Sequence, residues 1–179
     1  MDYRATTINY TEYKSGIGDL ILAEYNNQLC MCDWKNRKMA AQIKQRISNY
    51  LKVDFVENKT DFLVDVQQQL DAYFERKLTT FDVPLLLIGT DFQKQVWNEL
   101  LKIPYGKTET YLGLSKKMNN ENAIRAVASA NGANAISIIV PCHRIIGSDG
   151  SLVGYAGGLY AKKKLLELEQ VFSQPELLF

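Results

Sequence analysis

The alternation of apolar and polar positions divides the chain into a first half that predicts a small sheet with helices and a second half that predicts mainly helices. In the first half, two apolar runs are separated by the pair Asn26-Asn27, which is typical of a tight hairpin turn. Apolar residues then recur every three or four positions in two further segments, which is the spacing of amphipathic helices. The pattern predicts strands over 18–25 and 29–34, helices over 37–51 and 62–74, and an extended segment over 81–88.

The composition changes after Gly89, and the second half predicts helices, one apolar strand and a glycine-rich loop. Two of the helices are short and are joined by the turn pair Asn119-Asn120, with Asn122 as the expected cap of the second. This arrangement is a weak signal for a helix-turn-helix. In chain order the pattern predicts a helix from Asp91 to before Pro104, helices over 110–118 and 122–130, a strand over 136–140, a glycine-rich loop over 147–158, a helix over 159–172 and a tail over 173–179. We expect an α/β domain over 1–88 and a mainly α domain over 89–179.

The composition is that of a globular protein with one domain or two small ones. The chain has 179 residues, of which 46% are hydrophobic and 23% are charged, and its formal net charge is +1. Binding to a polyanion therefore requires a local basic patch rather than a basic surface overall. Six lysines are expected at the surface, where phosphate contacts are open to them: Lys107, Lys116, Lys117, Lys162, Lys163 and Lys164.

Neither export nor membrane insertion is predicted. The N-terminal residues have no apolar segment behind their charges, and no apolar run approaches the roughly 18 residues of a membrane span. The odd, low count of three cysteines predicts reduced thiols in the cytoplasm. Cys30 and Cys32 lie two positions apart on a predicted strand, so we expect them on one face of it as core residues. With His143 as the sole histidine, no zinc site is expected.

The sequence Pro141-Cys142-His143-Arg144 carries the strongest chemical signal. A predicted buried strand ends at a proline, which restricts the backbone and places a thiol next to an imidazole. The thiolate is the nucleophilic form of cysteine, and a histidine can take its proton directly or through a water. A carboxylate is needed to orient the imidazole; Glu169 is the first candidate and Glu167 the second. From these residues alone, a structural thiol beside a hydrogen-bonded histidine remains an open alternative.

Around this motif the chain resembles the O6-alkylguanine-DNA alkyltransferases, also called methylated-DNA–protein-cysteine methyltransferases. The resemblance extends from about Thr90 to Glu169 and, more loosely, into the first half at Gln69-Leu70 and Tyr73-Phe74. The segments that carry it are 89–93, 96–97, 103–106, 123–127, 139–146 and 154–159. It implies a ribonuclease-H-like first domain and a winged-helix-like second domain that contains the helix-turn-helix.

The resemblance implies DNA repair by a reaction that each molecule performs once. Cys142 would accept a methyl or larger alkyl group from O6-alkylguanine in double-stranded DNA, with O4-alkylthymine as a second candidate lesion. His143 would activate the thiol through a water, and Glu169 would support His143. Asn134 would link the recognition helix to the active-site strand. The resemblance implies no cofactor, and we expect a monomer without zinc and without a membrane partner.

The same resemblance implies how the lesion is reached. Arg125 would enter the base stack and fill the gap left by a flipped nucleotide, because O6 of guanine is inaccessible inside the duplex. Tyr111 would press on the phosphate of that nucleotide and hydrogen-bond the guanine. Ala126 shares the recognition helix. Ala133 stands where the family often has an arginine or another polar residue, which predicts weaker DNA binding.

A pocket for the flipped base is implied beside the glycine-rich loop. Tyr155 would form one wall, and the backbone N–H of Ala156 would donate to O6 of the guanine. The carbonyls of Cys142 and Ile145 would accept hydrogen bonds from the guanine amine. Glycines allow backbone groups to approach a base this closely.

Two other functions have to be separated from this one. A cysteine–histidine hydrolase would use the same two residues, but it would turn over an ester or peptide substrate many times. A DNA-binding module without activity would recognise alkylated bases and leave them unrepaired. Relatives of that kind lack the cysteine, whereas Cys142 is present here.

Overall fold

The computed structural model describes residues 5–171, and its first half is built around a four-stranded sheet. The strands are β1 Thr7–Lys14, β2 Asp19–Tyr25, β3 Gln28–Trp34 and β4 Asp54–Glu57. Their order across the sheet is β3-β2-β1-β4, with β1 antiparallel to β2, β2 antiparallel to β3, and β4 parallel to β1. The sequence pattern predicts only β2 and β3, because most residues of β1 and β4 are exposed or half-buried and form no continuous apolar run.

The hairpin of β2 and β3 is confirmed, but the expected orientation of its cysteines is wrong. Asn26 and Asn27 have positive φ angles of 52° and 55°, which a type I′ turn requires and which asparagine tolerates better than most residues. A bulge in the pairing with β2 leaves Cys30 between two paired positions of β3. As a result, Cys30 and Cys32 are both buried but pack into different core clusters instead of sharing a face.

Two helices, α1 Ala40–Leu51 and α2 Asp61–Phe74, cover opposite faces of this sheet. Ile43 and Ile47 of α1 belong to the smaller core cluster, whereas the buried side of α2 belongs to the larger one. The hydroxyl of Thr60 caps α2 by accepting from the N–H of Leu63 at 3.3 Å. Both helices therefore lie where the apolar spacing predicts them, although α1 begins three residues later.

The second half is mainly helical, as predicted. Its helices are α3 Asp91–Leu101, α4 Tyr111–Lys117, α5 Ile124–Gly132 and α6 Gly158–Leu168, and its short strands β5 Glu109–Thr110 and β6 Ile145–Ile146 pair in parallel. Thr90 and Gln93 form a capping box that starts α3. Between α4 and α5 the chain makes a 3-10 turn at Glu121–Ala123, so the expected cap at Asn122 is wrong and α5 begins two residues later.

One hydrophobic cluster joins the two halves. It contains buried side chains of β2, β3 and α2 together with side chains of all four helices of the second half. The outer edge of β3 is also paired with the segment that follows α5. The N–H of Cys32 donates to the carbonyl of Ala135 at 2.9 Å, and the carbonyl of Cys32 accepts from the N–H of Ser137 at 2.6 Å. The segment that leads from α5 to Cys142 is thereby attached to the first half of the chain.

A buried ion pair fixes the loop after β3 to the end of α5. Nη1 of Arg37 donates to both carboxylate oxygens of Asp33 at 2.9 Å and to the carbonyl of Asn134 at 2.8 Å. Its Nη2 donates to the carbonyl of Gly132 at 2.5 Å. Burial raises the pKa of Asp33 to about 6, while the charge of Arg37 opposes this rise. The pair supplies the partner that a buried charge requires.

The last described helix is shorter than predicted. The helix α6 ends at Leu168, before the predicted limit, and the predicted tail over 173–179 lies outside the described residues. Across residues 5–171, none of the helices combines the length and the apolar character that a membrane span requires.

The indole of Trp97 joins α3 to α5, and the variant Trp97→Phe tests this contact. The residue is 2% exposed, and its ring N–H donates to the carbonyl of Ala130 at 2.8 Å. We expect the variant to lower the free energy of unfolding by about 1–3 kcal/mol, because it loses ring volume and a buried donor. Urea denaturation measures the change, with Tyr50→Phe on the exposed side of α1 as a control expected within about 0.5 kcal/mol of wild type. Equal stability of all three proteins would contradict a stabilising contact between Trp97 and α5.

Candidate active site

Cys142 lies in a turn that follows α5, and the strand predicted over 136–140 is wrong. Within that segment only Ile136 forms a β-bridge, to β3, and the next residues turn instead of extending. Ile138 has a φ of 71°, which is unusual for a β-branched residue and requires support from the surrounding core. The segment is apolar because this turn is enclosed by the core. Cys142 then begins a 3-10 turn, Cys142–Arg144.

The carboxylate of Glu169 is the centre of a buried hydrogen-bond cluster. Its Oε1 accepts from the hydroxyl of Tyr73 and from Nε2 of His143, both at 2.7 Å. Arg144 donates to both oxygens, from Nη2 at 3.0 Å and from Nε at 2.9 Å. The N–H of Gly106 donates to Oε2 at 3.2 Å. Of the two carboxylates predicted from the sequence, Glu169 is therefore the one that forms a hydrogen bond with the imidazole of His143.

These contacts determine the protonation of the cluster. Burial alone would raise the pKa of Glu169, but the hydrogen bonds from His143 and Arg144 and the charge of Arg144 lower it to about 2. The ionised carboxylate can only accept, so Nε2 of His143 carries the proton. Burial lowers the pKa of His143, against the opposing effect of Glu169, and the imidazole is neutral. Its Nδ1 is buried and has no hydrogen-bond partner within residues 5–171.

The side-chain amide of Asn134 holds the backbone around Cys142. Its Nδ2 donates to the carbonyl of Val140 at 3.0 Å and to Sγ of Cys142 at 3.2 Å, and its Oδ1 accepts from the N–H of Ile136 at 2.9 Å. Burial raises the pKa of Cys142, and the hydrogen bond from Asn134 partly opposes the rise. The sulfur is therefore a thiol at rest, and a base has to take its proton before it becomes a strong nucleophile.

A cavity of about 360 Å³ opens on Cys142, although this residue is only 2% exposed. The volume lies within the range of small-molecule sites. Three residues assigned to the base pocket from the sequence line it together with the cysteine: Tyr111, Tyr155 and Ala156. The other lining residues are Arg37, Lys38, Met39, Ala128, Asn131, Gly132 and Gly154. The structure thus brings Cys142, the expected acceptor, and three of the expected substrate-binding residues to one cavity.

The remaining candidate residues lie around this cavity without lining it. Arg125 and Ala126 are exposed on α5, the helix whose later residues form part of the cavity wall. Ala133 is half-buried at the end of that helix, and its carbonyl accepts from Nη2 of Arg46 at 3.0 Å. Ile145 is buried in β6.

Lys162 is buried, so the expectation of a surface position is wrong for this lysine. Its Nζ donates to the carbonyl of Ile145 and to that of Val153, the latter at 2.7 Å. Because Val153 belongs to the glycine-rich loop, the lysine ties this loop to the active-site turn. Burial lowers the pKa of Lys162 to about 8, against the opposing effect of Cys142.

The glycine-rich loop also packs against both halves of the chain through Tyr155. The ring lies edge-on to Trp34 and to His143, with centroid distances of 5.9 and 6.3 Å. Gly157 approaches the indole of Trp34 so closely that a Cβ at this position would overlap the ring. The first half of the chain therefore positions one wall of the cavity.

Sequence analysis missed three residues that hold the site together, namely Tyr73, Arg144 and Arg37. Arg144 lies in the recognised motif, but its partner Glu169 is 25 positions away. Tyr73 reaches the same carboxylate across 96 positions, and no local pattern indicates such a contact. For Arg37, the available signal is its spacing of four positions from Asp33.

Two family models match most of the chain. Residues 8–87 match the model described as "6-O-methylguanine DNA methyltransferase, ribonuclease-like domain". Residues 91–171 match the model described as "6-O-methylguanine DNA methyltransferase, DNA binding domain". These matches confirm the expected architecture, in which a ribonuclease-like part precedes a helical DNA-binding part.

Individual relatives agree with the family models. A Methanosarcina mazei protein named methylated-DNA–protein-cysteine methyltransferase is 50% identical over 138 residues, which cover 77% of this chain and 87% of that protein. A Mycobacterium bovis protein of the same name is 44% identical over 163 residues, covering 91% and 93%. The crystal structure of Mycobacterium tuberculosis OGT in complex with DNA aligns with a TM-score of 0.77 at 40% identity, covering 90% of this chain and 92% of that one.

The pKa of Glu169 predicts a loss of stability in acid. Because its folded pKa of about 2 lies below the ordinary value of 4.5, the unfolded chain takes up this proton first as the pH falls. The contribution is complete above about pH 5 and is lost between about pH 4.5 and 2, by about 3 kcal/mol in total. Urea unfolding at several pH values measures this loss.

Two substitutions distinguish the contribution of Glu169 to this pH dependence from the contributions of the other carboxylates. Glu169→Gln removes the ionisable group, so its free energy of unfolding should vary less with pH in this window than that of wild type. Glu167→Gln, a half-buried position on α6, is the matched control and should keep most of the wild-type slope. Parallel pH profiles for wild type and Glu169→Gln would contradict an ionised, buried Glu169.

Proposed function

The chain belongs to the 6-O-methylguanine DNA methyltransferase family, and from this membership we propose that Cys142 takes the alkyl group of O6-alkylguanine in duplex DNA. The protein binds DNA and repairs it by alkyl transfer to a cysteine. The observation that supports Cys142 is its position on the wall of the 360 Å³ cavity, next in sequence to the His143–Glu169 pair. Cys30 and Cys32 are buried in core clusters and do not line that cavity.

The proton of the thiol moves to His143 in this proposal. Nδ1 is the acceptor, directly or through a water, because Nε2 already donates to Glu169 at 2.7 Å. The charge of Glu169 then stabilises the imidazolium that forms. The cation of Lys162 favours the thiolate of Cys142, because it lowers the pKa of this cysteine against the dominant effect of burial. The thiolate therefore forms during the reaction rather than at rest.

Alkyl transfer is a single displacement. The sulfur of Cys142 attacks the alkyl carbon, a C–S bond forms as the C–O6 bond breaks, and the electron pair stays on the guanine oxygen. The N–H of Ala156 and the hydroxyl of Tyr111 stabilise the developing charge. The hydroxyl of Tyr111 accepts from Asn131 at 3.4 Å, which leaves its proton available for the base. The proton held by His143 returns to the guanine anion, and the thioether remains on the protein.

The position of α5 supports base flipping by this chain. Its exposed side carries Arg125 and Ala126, while Ala128 and Gly132 of the same helix line the cavity. A duplex bound to the exposed side would place a flipped base within reach of the cavity, and Arg125 would fill the gap in the stack. The carbonyls of Cys142 and Ile145 are the proposed acceptors for the guanine amine; Cys142 lines the cavity, whereas Ile145 lies outside its lining and its carbonyl also accepts from Lys162.

We propose O6-alkylguanine as the main lesion and O4-alkylthymine as the second, acted on in the cytoplasm by a monomer that uses neither zinc nor another cofactor. We also propose that the chain divides functionally between residues 88 and 89. The two family matches, which end at residue 87 and begin at residue 91, support this division.

Intact-mass spectrometry tests the acceptor. After incubation with duplex DNA that contains O6-methylguanine, wild type should gain the mass difference between a thiol and its methyl thioether, once per molecule. Cys142→Ala should keep its mass and still bind the duplex, whereas Cys30→Ala, the matched control, should be methylated like wild type. Repeated turnover of an ester would favour a hydrolase. An unchanged wild-type mass with retained lesion binding would favour a non-catalytic module.

Arg125→Ala tests base flipping. We expect transfer from duplex DNA to slow by about tenfold or more, because nothing replaces the stacking of the displaced base. Transfer from the free base O6-methylguanine needs no flipping and should keep its rate. Lys163→Ala, an exposed charge on α6, is the control and should leave both rates unchanged. An equal loss of rate on both substrates would exclude this role for Arg125.

A further inference from the structure

Two segments of this nearly neutral chain contain no acidic residue, and they are neighbours in the fold. The first, residues 34–53, runs from the end of β3 through α1 and contains six lysines and arginines. The second, residues 122–148, contains α5 and the active-site turn. Because the net charge of the protein is only +1, these positive charges are concentrated in one part of the structure and are balanced by acidic residues elsewhere.

The two segments meet at a second cavity, of about 510 Å³. Its wall is formed by Met39, Gln42, Ile43 and Arg46 from the first segment, by Ser129, Gly132 and Ala133 from the second, and by Gln93 of α3. Met39 and Gly132 also line the cavity that contains Cys142. The two cavities are therefore adjacent depressions along α5, and Met39, the residue before α1, borders both of them.

The row of residues on this side of the first segment is called the α1 edge here and consists of Lys38, Met39, Gln42 and Arg46. The last three are spaced by three and four positions, which places them on one side of the helix. Lys38, Met39 and Gln42 are exposed, and Arg46 is half-buried. The α1 edge is thus a continuous border that solvent, or a bound partner, can reach.

Arg46 is held in place at the far end of this edge. Its Nη2 donates to the carbonyl of Ala133 at 3.0 Å, and its guanidinium lies over the ring of Trp97 at 5.6 Å. The position of Ala133 at the end of α5 therefore has a positive charge beside it, although the alanine itself supplies none.

Lys38 provides the second positive charge of the edge, at the mouth of the cavity that contains Cys142. The two cations that precede it in the sequence are already paired, because Arg37 forms an ion pair with Asp33 and Lys35 forms one with Glu12 at 2.6 Å. Within residues 5–171, no carboxylate lines either cavity. The charge along this border is therefore positive and is not neutralised by acidic side chains of the cavity walls.

We propose that the α1 edge is a second DNA-contacting surface, which binds the phosphate backbone beside the flipped nucleotide while α5 occupies the groove. The inference rests on the proposed function, because it requires a duplex on the exposed side of α5. Charge complementarity identifies the partner: cations without carboxylates fit a polyanion, and the amide of Gln42 and the hydroxyl of Ser129 are phosphate donors. The first half of the chain would then bind substrate as well as support the site.

Loss of one charge from the edge tests the inference. We measure binding to an undamaged duplex over a range of KCl concentrations for Lys38→Ala and for Lys44→Ala. Lys44 belongs to the same segment, but its ammonium lies over the rings of Tyr10 and Phe55, at 4.7 and 5.1 Å, on the sheet side. We expect the slope of log K against log [KCl] to fall in magnitude by about one for Lys38→Ala and to stay at the wild-type value for Lys44→Ala.

Gain of one charge gives a result that misfolding cannot imitate. Gln42→Lys adds a cation to the α1 edge, so the salt slope should increase in magnitude by about one and binding should tighten. Ala41→Lys is the matched control, because Ala41 is exposed on the same helix but is rotated by about 100° around its axis, away from the edge. We expect Ala41→Lys to bind like wild type.

Methylation of wild type by duplex DNA containing O6-methylguanine is measured in parallel. If wild type is methylated, but Lys38→Ala and Lys44→Ala share one slope and Gln42→Lys binds no more tightly than Ala41→Lys, then the α1 edge does not contact DNA and the proposed function stands. If wild type is not methylated, the proposed function fails and the role of the α1 edge fails with it. Slopes that separate as expected, in a protein that is methylated, support the inference.

Discussion

The buried carboxylate of Glu169 is the charge around which the rest of the site is arranged. A carboxylate removed from water is stable only when hydrogen-bond donors and a positive charge replace its solvent. Here the donors come from distant parts of the chain: Tyr73 from α2, Gly106 from the loop before β5, and His143 and Arg144 from the active-site turn. Because no single segment can supply them, the two halves have to pack together before this charge is satisfied. The orientation of the imidazole follows from that packing.

The same dependence on both halves applies to the thiol. Burial keeps the sulfur of Cys142 as a thiol, against the opposing effect of the hydrogen bond from Asn134, and the imidazole of the next residue is neutral. A protein that reacts once gains from this arrangement, because thiolate character and exposure are what make a cysteine prone to oxidation. The loop that Lys162 anchors lines one side of the cavity, and Arg37 lines another. Both cations are held in place by hydrogen bonds, Arg37 to Asp33 and Lys162 to the carbonyls of Ile145 and Val153.

The position of its positive charges, rather than their number, makes this chain suited to binding DNA. Screening in salt limits the reach of each surface charge to about 8–10 Å, so acidic residues elsewhere have little effect on a bound phosphate. The two segments that line both cavities, residues 34–53 and 122–148, carry cations and contain no carboxylate. A net charge of +1 is compatible with binding a polyanion for this reason.

Elements whose signals are local follow from the amino-acid sequence alone. The pair Asn26-Asn27 sets the hairpin turn, the apolar spacing sets the helices, and the order Pro141-Cys142-His143 indicates the reactive thiol. Other features depend on the assembled fold: residues 136–140 turn instead of forming a strand, Lys162 is buried, and Tyr73 and Arg144 share Glu169 with the histidine. The physical reason is that burial and the choice of hydrogen-bond partner depend on groups brought together from distant positions, whereas turn and helix preferences depend on neighbours along the chain.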